Sequence, residues 1–160
     1  MENTMKVILF NLDSEAYGVS INQVLSIEKV ESVSRVPGAP DFVEGVMNLR
    51  GSIIPVISMR RKFRMKDEAQ TKETRIVIVQ VDEIQVGLLV DAAKEVIDID
   101  ADKIEAAPEI VGGLKAEYIR GVYELDESHL LVLLDLHHVL NDQDVDQVKK
   151  IEVSADAQVK

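Results

Sequence analysis

Three histidines, His129, His137 and His138, stand close together near the end of the sequence, with Ser128 and Asp135 between and beside them. No other stretch offers as many groups for catalysis or metal binding. A zinc site needs three or four converging ligands, but adjacent residues such as His137 and His138 point in different directions on a helix and cannot readily share one ion. Ser128, His129 and Asp135 supply the side chains of a nucleophilic triad, yet no strained elbow and no glycine-rich oxyanion loop accompanies them. No G-x-G-x-x-G, P-loop or H-E-x-x-H occurs, so dinucleotide, nucleotide and zincin chemistry lack their minimum parts. The carboxylates are scattered through turns and helix starts, where capping accounts for them better than paired acid/base work. The expectation is a protein with no catalytic residue, no cofactor and no bound metal.

A second cluster is the basic run Arg60-Arg61-Lys62-Phe63-Arg64-Met65-Lys66. Cations are favoured at a helix C-terminus, so it reads either as a solvated helix end or as a patch for an acidic partner. It stands out because the chain is acidic, with 29 Asp and Glu against 18 Lys and Arg and a formal net charge of -11. Such a chain repels phosphate backbones and anionic lipid, which argues against nucleic acid or direct membrane contact. Cysteine is absent, which suits a reducing compartment, and a cytoplasmic location is the expectation. Neither a signal peptide nor a membrane span is legible: Met1 to Lys6 lacks the pattern, and the most apolar run, Leu130 to Leu134, ends at Asp135.

The elements that must position these groups are mostly strands. Hydrophobic residues are 46% of the chain, chiefly Val, Ile and Leu, with aromatics only 4%, a composition that favours β-structure. Short apolar runs recur at Val7 to Phe10, Tyr17 to Ile21, Phe42 to Leu49, Ile53 to Ile57, Arg75 to Val81, Ile84 to Val90, Tyr118 to Leu125 and Leu130 to Leu134. Turn chemistry separates them at Asp13-Ser14, Pro37-Gly38, Arg50-Gly51, Asp82-Glu83, Gly112-Gly113 and Asp126-Glu127. Capped short helices are predicted after Ser20, with Gln23 completing a capping box before Val24 and Ile27, after Ser58, after Asp91 and after Asp135.

An internal repeat organises these elements. Tyr17-Gly18-Val19-Ser20-Ile21 is echoed 69 residues later by Val86-Gly87-Leu88-Leu89-Val90, and Phe42-Val43-Glu44-Gly45-Val46 is echoed 76 residues later by Tyr118-Ile119-Arg120-Gly121-Val122. A longer loop around Ala107 to Ala116 takes up the difference. Each β-rich unit is too small to bury both its faces, so the two should pack around a shared apolar seam as a pair of small barrels. Gly45 and Gly121, inside strands, mark tightly curled barrel corners.

The stretch Phe42 to Ile57, with the core Asn48-Leu49-Arg50-Gly51 flanked by Gly45 and Pro55, resembles the signature of the CheW family of chemotaxis coupling proteins. The likeness continues through Phe10 to Ile27, Arg75 to Asp91 and the Gly121 segment. It implies an all-β, mainly antiparallel fold with short helices: two pseudo-symmetric, intertwined five-stranded SH3-like barrels packed side by side. It further implies one CheW-like domain over residues 1–140, its barrels at about 12–74 and 75–140 with exchange of the N-terminal strand left open, and a helical or flexible tail over 141–160.

The resemblance also implies a non-catalytic adaptor, recruited to receptor arrays at the inner face of the cell membrane and monomeric when isolated. Its implied partners are the cytoplasmic tip of a chemoreceptor (methyl-accepting chemotaxis protein) and the regulatory domain of the CheA histidine kinase. Carried over position by position, the receptor-binding groove falls on Ile21, Val24 and Ile27, with Ala93 opposite and Gly45 and Arg50 at the rim; no residue is assigned to the kinase. Ile21, Val24 and Ile27 also have the spacing of one buried helix face, and Arg50 in a turn suits an ordinary solvated charge. Where many members carry Glu this chain has Ser26, so a partner for Arg50 from that position cannot be assumed, and Ser58 replaces a usual Asp as helix cap. The alternatives are a coupling protein of another motility or signalling pathway, a CheV-type relative, against which the lack of a phosphoacceptor domain before Lys160 speaks, and a small metal-dependent hydrolase using the histidines.

Overall fold

The computed structural model describes residues 3–106 and 116–140, apart from the side chain of Lys94. The loop and the tail singled out in the sequence, 107–115 and 141–160, lie outside the described residues. Ten strands and two four-residue helices follow in the order β1 (Thr4–Leu12), β2 (Glu15–Ser20), β3 (Val24–Lys29), β4 (Val43–Leu49), β5 (Ser52–Ser58), α1 (Met59–Lys62), β6 (Arg75–Val81), β7 (Ile84–Val90), β8 (Ala92–Asp100), β9 (Ile119–Asp126), β10 (His129–Leu134) and α2 (Leu136–Val139). They form two five-stranded sheets, β8-β1-β2-β10-β9 and β3-β6-β7-β5-β4.

The strand orders reproduce the sequence repeat: β1 to β5 followed by α1 answers to β6 to β10 followed by α2. Each sheet takes two strands from one half and three from the other, so the exchange covers both β1 and β2, and the boundary at 74/75 divides the repeats but not the sheets. Pairings between halves stitch each sheet. β2 runs parallel to β10 and β5 parallel to β7, while β1 pairs antiparallel with β8 and β3 with β6.

Two of the predicted helices are strands. Ser20 does accept an amide hydrogen, from Asn22, but it caps only the 3-10 turn Ile21–Gln23, and the chain then enters β3. After Asp91 the chain enters β8 with no helix at all. Register shifts hide both strands from a period-two reading: β3 advances from Val24 to Ser26 while β6 moves one residue, and β1 and β8 slip between Leu9 and Phe10. The other two caps act as expected, Ser58 accepting from Arg61 N–H and Asp135 from His138 N–H.

The main core lies between the sheets. Ile8, Phe10, Leu12, Tyr17 and Val19 from one sheet meet Val77, Val79, Val86, Leu88 and Val90 from the other, with Met59 and Phe63 at one end and Leu136 and Val139 at the other half's equivalent. A row of rings runs through it, Phe10 to Tyr17 to Phe63 to Tyr118, with centroids 5.7, 6.0 and 5.8 Å apart. Each sheet also curls round a smaller interior, one built on Val7, Leu9, Ile99, Leu131 and Leu133, the other on Met47, Ile54, Val56, Ile76 and Ile78.

Glycines set the corners of both barrels. A Cβ on Gly45 would lie 2.2 Å from the Ser34 carbonyl oxygen, and one on Gly121 would lie 2.5 Å from Ile104 Cγ2 and 2.9 Å from the Glu105 oxygen. The residue after each glycine makes an isolated bridge to the intruding chain, Val46 to Ser34 and Val122 to Glu105. Backbone crossing this close leaves no room for a side chain.

Candidate functional site

The six residues assigned to a groove separate into two groups. Ile21, Val24 and Ala93 are partly buried, and all three pack against the inter-sheet core. Ile21 sits in the 3-10 turn, which touches both β1 and β6, and β8 also touches β6, so the two sheets meet at this end of the seam. Val24 opposes Val79 and Ile27 opposes Val77, and both valines belong to the inter-sheet core. The bulge in β3 therefore turns Val24 and Ile27 to the same face, the outcome that helical spacing was expected to give. Ile27 is 38% exposed and its neighbour Leu25 51%. β3 and β8 are both edge strands, and Val24 and Ala93 stand at equivalent places in the two repeats.

Gly45 and Arg50 lie on the far side of β3. Arg50 occupies a two-residue turn with Gly51, both in the left-handed region at φ 52° and 89°, and Asn48 Oδ1 accepts the Gly51 N–H at 2.9 Å. An arginine held there costs about 1 kcal/mol in backbone strain. Its Nη2 lies 3.7 Å from Glu28 Oε2. Glu28 opposes Ile76, which faces the smaller interior, so this pair links the two open edges of that barrel, β3 and β4. The carboxylate is supplied two residues beyond Ser26, on the same face of β3. Sequence reasoning missed Glu28 because β3 had been read as a helix; a strand assignment would have brought it forward.

Arg60, Arg61 and Lys62 of the basic run are tied back to the protein, while Arg64 and Lys66 are exposed. Arg60, only 10% exposed in its side chain, makes a fork onto Asp91, with Nε to Oδ1 at 2.8 Å and Nη2 to Oδ2 at 2.5 Å, while Nη1 donates to the Lys66 carbonyl at 2.8 Å and Nη2 also lies 3.2 Å from Asp13 Oδ1. Arg61 bonds to Glu44 and to the Asp41 carbonyl, and the Lys62 ammonium lies 4.7 Å from the Phe42 ring centroid. Burial by itself would push the Asp91 carboxyl up, but the Arg60 fork and the Asp13 N–H outweigh it and hold Asp91 below the usual range. The Arg60 guanidinium is held correspondingly more firmly protonated, first of all by its bonds to Asp91.

The histidines do not converge. His129 Nδ1 lies 2.8 Å from Asp126, His138 Nδ1 2.7 Å from Asp135 and His137 Nδ1 3.6 Å from Asp82. Ser128 Oγ is 3.3 Å from His129, but at the same ring nitrogen that meets Asp126. A proton relay needs the hydroxyl and the carboxylate on opposite nitrogens, so this exposed turn is not built as one. Among the described residues no group of three or more His, Asp or Glu could hold a metal ion.

A family model for the CheW-like domain matches residues 6–144. The chemotaxis protein CheW of Klebsiella aerogenes is 34% identical over 146 residues, covering 89% of this chain and 87% of that protein. That of Bacillus subtilis is 37% identical over 138 residues, covering 85% and 86%. The crystal structure of the scaffolding protein TtCheW from Thermoanaerobacter tengcongensis is similar with a TM-score of 0.80 at 33% identity, over 90% of this chain and 91% of that one.

Proposed function

This chain belongs to the CheW-like domain family, and from that premise we propose that it is a non-catalytic chemotaxis coupling protein joining the cytoplasmic tip of a chemoreceptor to the regulatory domain of the CheA kinase. The observation that carries the reading is the end of the inter-sheet seam, where Ile21 from the 3-10 turn and Val24 and Ala93 from two edge strands stay partly exposed beside Leu25 and Ile27. An amphipathic helix can bury its apolar stripe against such a surface, and the amides of an unpaired strand edge can take on a partner chain. Gly45 and Arg50 serve the groove from behind in this reading: the Arg50–Glu28 pair sets the position of β3. The functional unit is the whole of residues 1–140, because neither half of the repeat closes a sheet alone.

The protein reaches the inner face of the membrane through the receptor it binds. Among the described residues no helix is long and apolar enough to cross a membrane. Nothing in this role calls for a cofactor.

Sizing-column and calorimetric titrations with a receptor-tip fragment and a kinase regulatory-domain fragment test the reading. Complexes with both are expected, and two partners that remain separate from the chain at tens of micromolar would sink it. Val24→Asp, checked to be folded, should weaken tip binding by at least ~2 kcal/mol, since it puts a charge into an apolar contact, and should leave the kinase fragment bound. Arg50→Glu, which sets like charges side by side with Glu28, should weaken tip binding less.

A further inference from the structure

The repeat supplies its own control for one feature of the seam. In each half the helix cap is followed two residues on by a basic side chain, Arg60 after Ser58 and His137 after Asp135. Each reaches the tight turn of its own half. Arg60 Nη2 lies 3.2 Å from Asp13 Oδ1 and His137 Nδ1 lies 3.6 Å from Asp82 Oδ2. Asp13 and Asp82 are 69 residues apart, as Gly18 and Gly87 are, and both take φ 55°.

There the likeness ends. Arg60 goes on to the other half of the chain and forks onto Asp91, the single residue between β7 in one sheet and β8 in the other. Asp91 is tied twice more, its N–H donating to Asn11 O at 3.0 Å and its Oδ2 accepting the Asp13 N–H at 2.8 Å. The equivalent residue in the first half is Asn22, in the crossover from β2 to β3, and among the described residues its side chain makes no hydrogen bond. His137 is 56% exposed and stops at Asp82.

We infer that Arg60 is a positioning residue for the partner groove: its fork on Asp91 fixes the crossover into β8, and with it the place of Ala93, while the equivalent crossover into Val24 has no such strut. The assignment of Ala93 to the groove rests on the coupling role proposed above. The chain passes from one sheet to the other in one residue, so the direction in which Ala92 and Ala93 leave is set by how Asp91 is held. A planar fork with fixed geometry holds it in a way that a single ammonium does not.

Residue-resolved amide hydrogen exchange on the full chain, together with titration of the two partner fragments, tests this on Arg60→Met, Arg60→Lys and His137→Met. In Arg60→Met the amides of Asp91 to Ala93 should exchange faster relative to those of the β4–β5 hairpin. The tip fragment should lose about tenfold in affinity, one decade of Kd, with the kinase fragment still bound. Arg60→Lys should restore little of this, and His137→Met should change neither readout. Uniformly faster exchange over both sheets, or an equal effect of His137→Met, would show Arg60 to be a general stabiliser and overturn the inference. If Arg60→Met does not fold, Asp91→Asn removes the charged fork without changing volume and must give the same local result. If the wild-type chain binds no tip fragment, the coupling role fails, and the exchange pattern alone decides whether Arg60 holds the crossover.

Discussion

The seam between the sheets and the interiors of the two barrels are built on different scales. Twenty-two buried residues of the described chain line the seam, against five in each barrel interior. All four rings of the aromatic row lie in the seam as well. A barrel of this size closes round too few side chains to offset the entropy of ordering its strands. The difference teaches that the two barrels are halves of one hydrophobic core.

The largest expected effect tests this difference directly. Phe10→Ala in the seam should cost about 3–5 kcal/mol and lower a single cooperative melting transition, since Phe10 supports both sheets. Leu133→Ala in a barrel interior should cost less, about 2–3 kcal/mol, because the small interior can settle onto the gap. Two separate transitions in either variant would break the picture of a common core.

Next in size are the corners. Gly45→Ala drives a methyl group into the Ser34 carbonyl at a glycine with φ 155° and should cost about 2–3 kcal/mol in a denaturant titration. Gly121→Ala first meets the Ile104 side chain, which can turn aside, and should cost about 1–2 kcal/mol. Equal costs would show that the two corners are more alike than their contacts.

The smallest effect is acidic. Asp91 and Asp135 are both held below the ordinary value of 3.8, against the pull of burial, by Arg60 and by His138 respectively. A depressed carboxyl contributes stability that is present above its unfolded value and is lost as the pH falls through the lower folded value. Stability should therefore drop below about pH 4. Asp91→Asn should flatten that limb by about 1 kcal/mol or less after allowance for solvent screening, while Asp135, capping α2 in the other half, keeps its own share.

Much of this was legible in the sequence because eight strands keep their period or their apolar runs, and β6 and β7 match the sequence reading residue for residue. The pair of barrels and their common seam followed from the repeat. β3 and β8 were not legible, since a bulge in each destroys the alternation that marks a strand and leaves Val24 and Ile27 at a spacing that imitates a helix. Of the residues assigned to a groove, Ile21, Val24 and Ala93 pack against the inter-sheet core, while Gly45 and Arg50 belong to the β4–β5 hairpin of the smaller barrel. Asp91 was read as a helix cap because an acidic residue before a short apolar run has two meanings. Only the arrival of Arg60 from 31 positions away decides between them, and nothing local announces it.

The exchange of strands between halves fixes a timetable for the nascent chain. A ribosome has delivered every strand of the β3-β6-β7-β5-β4 sheet once Val90 emerges, but the other sheet stays two strands wide until β8, β9 and β10 follow. During that interval the β1–β2 hairpin has only half of its final partners, and Ile8, Phe10 and Tyr17 can shelter solely against the finished sheet. Closure of the second sheet thereby waits for β10, and a stall between residues 90 and 134 leaves its oily side open to passing chains.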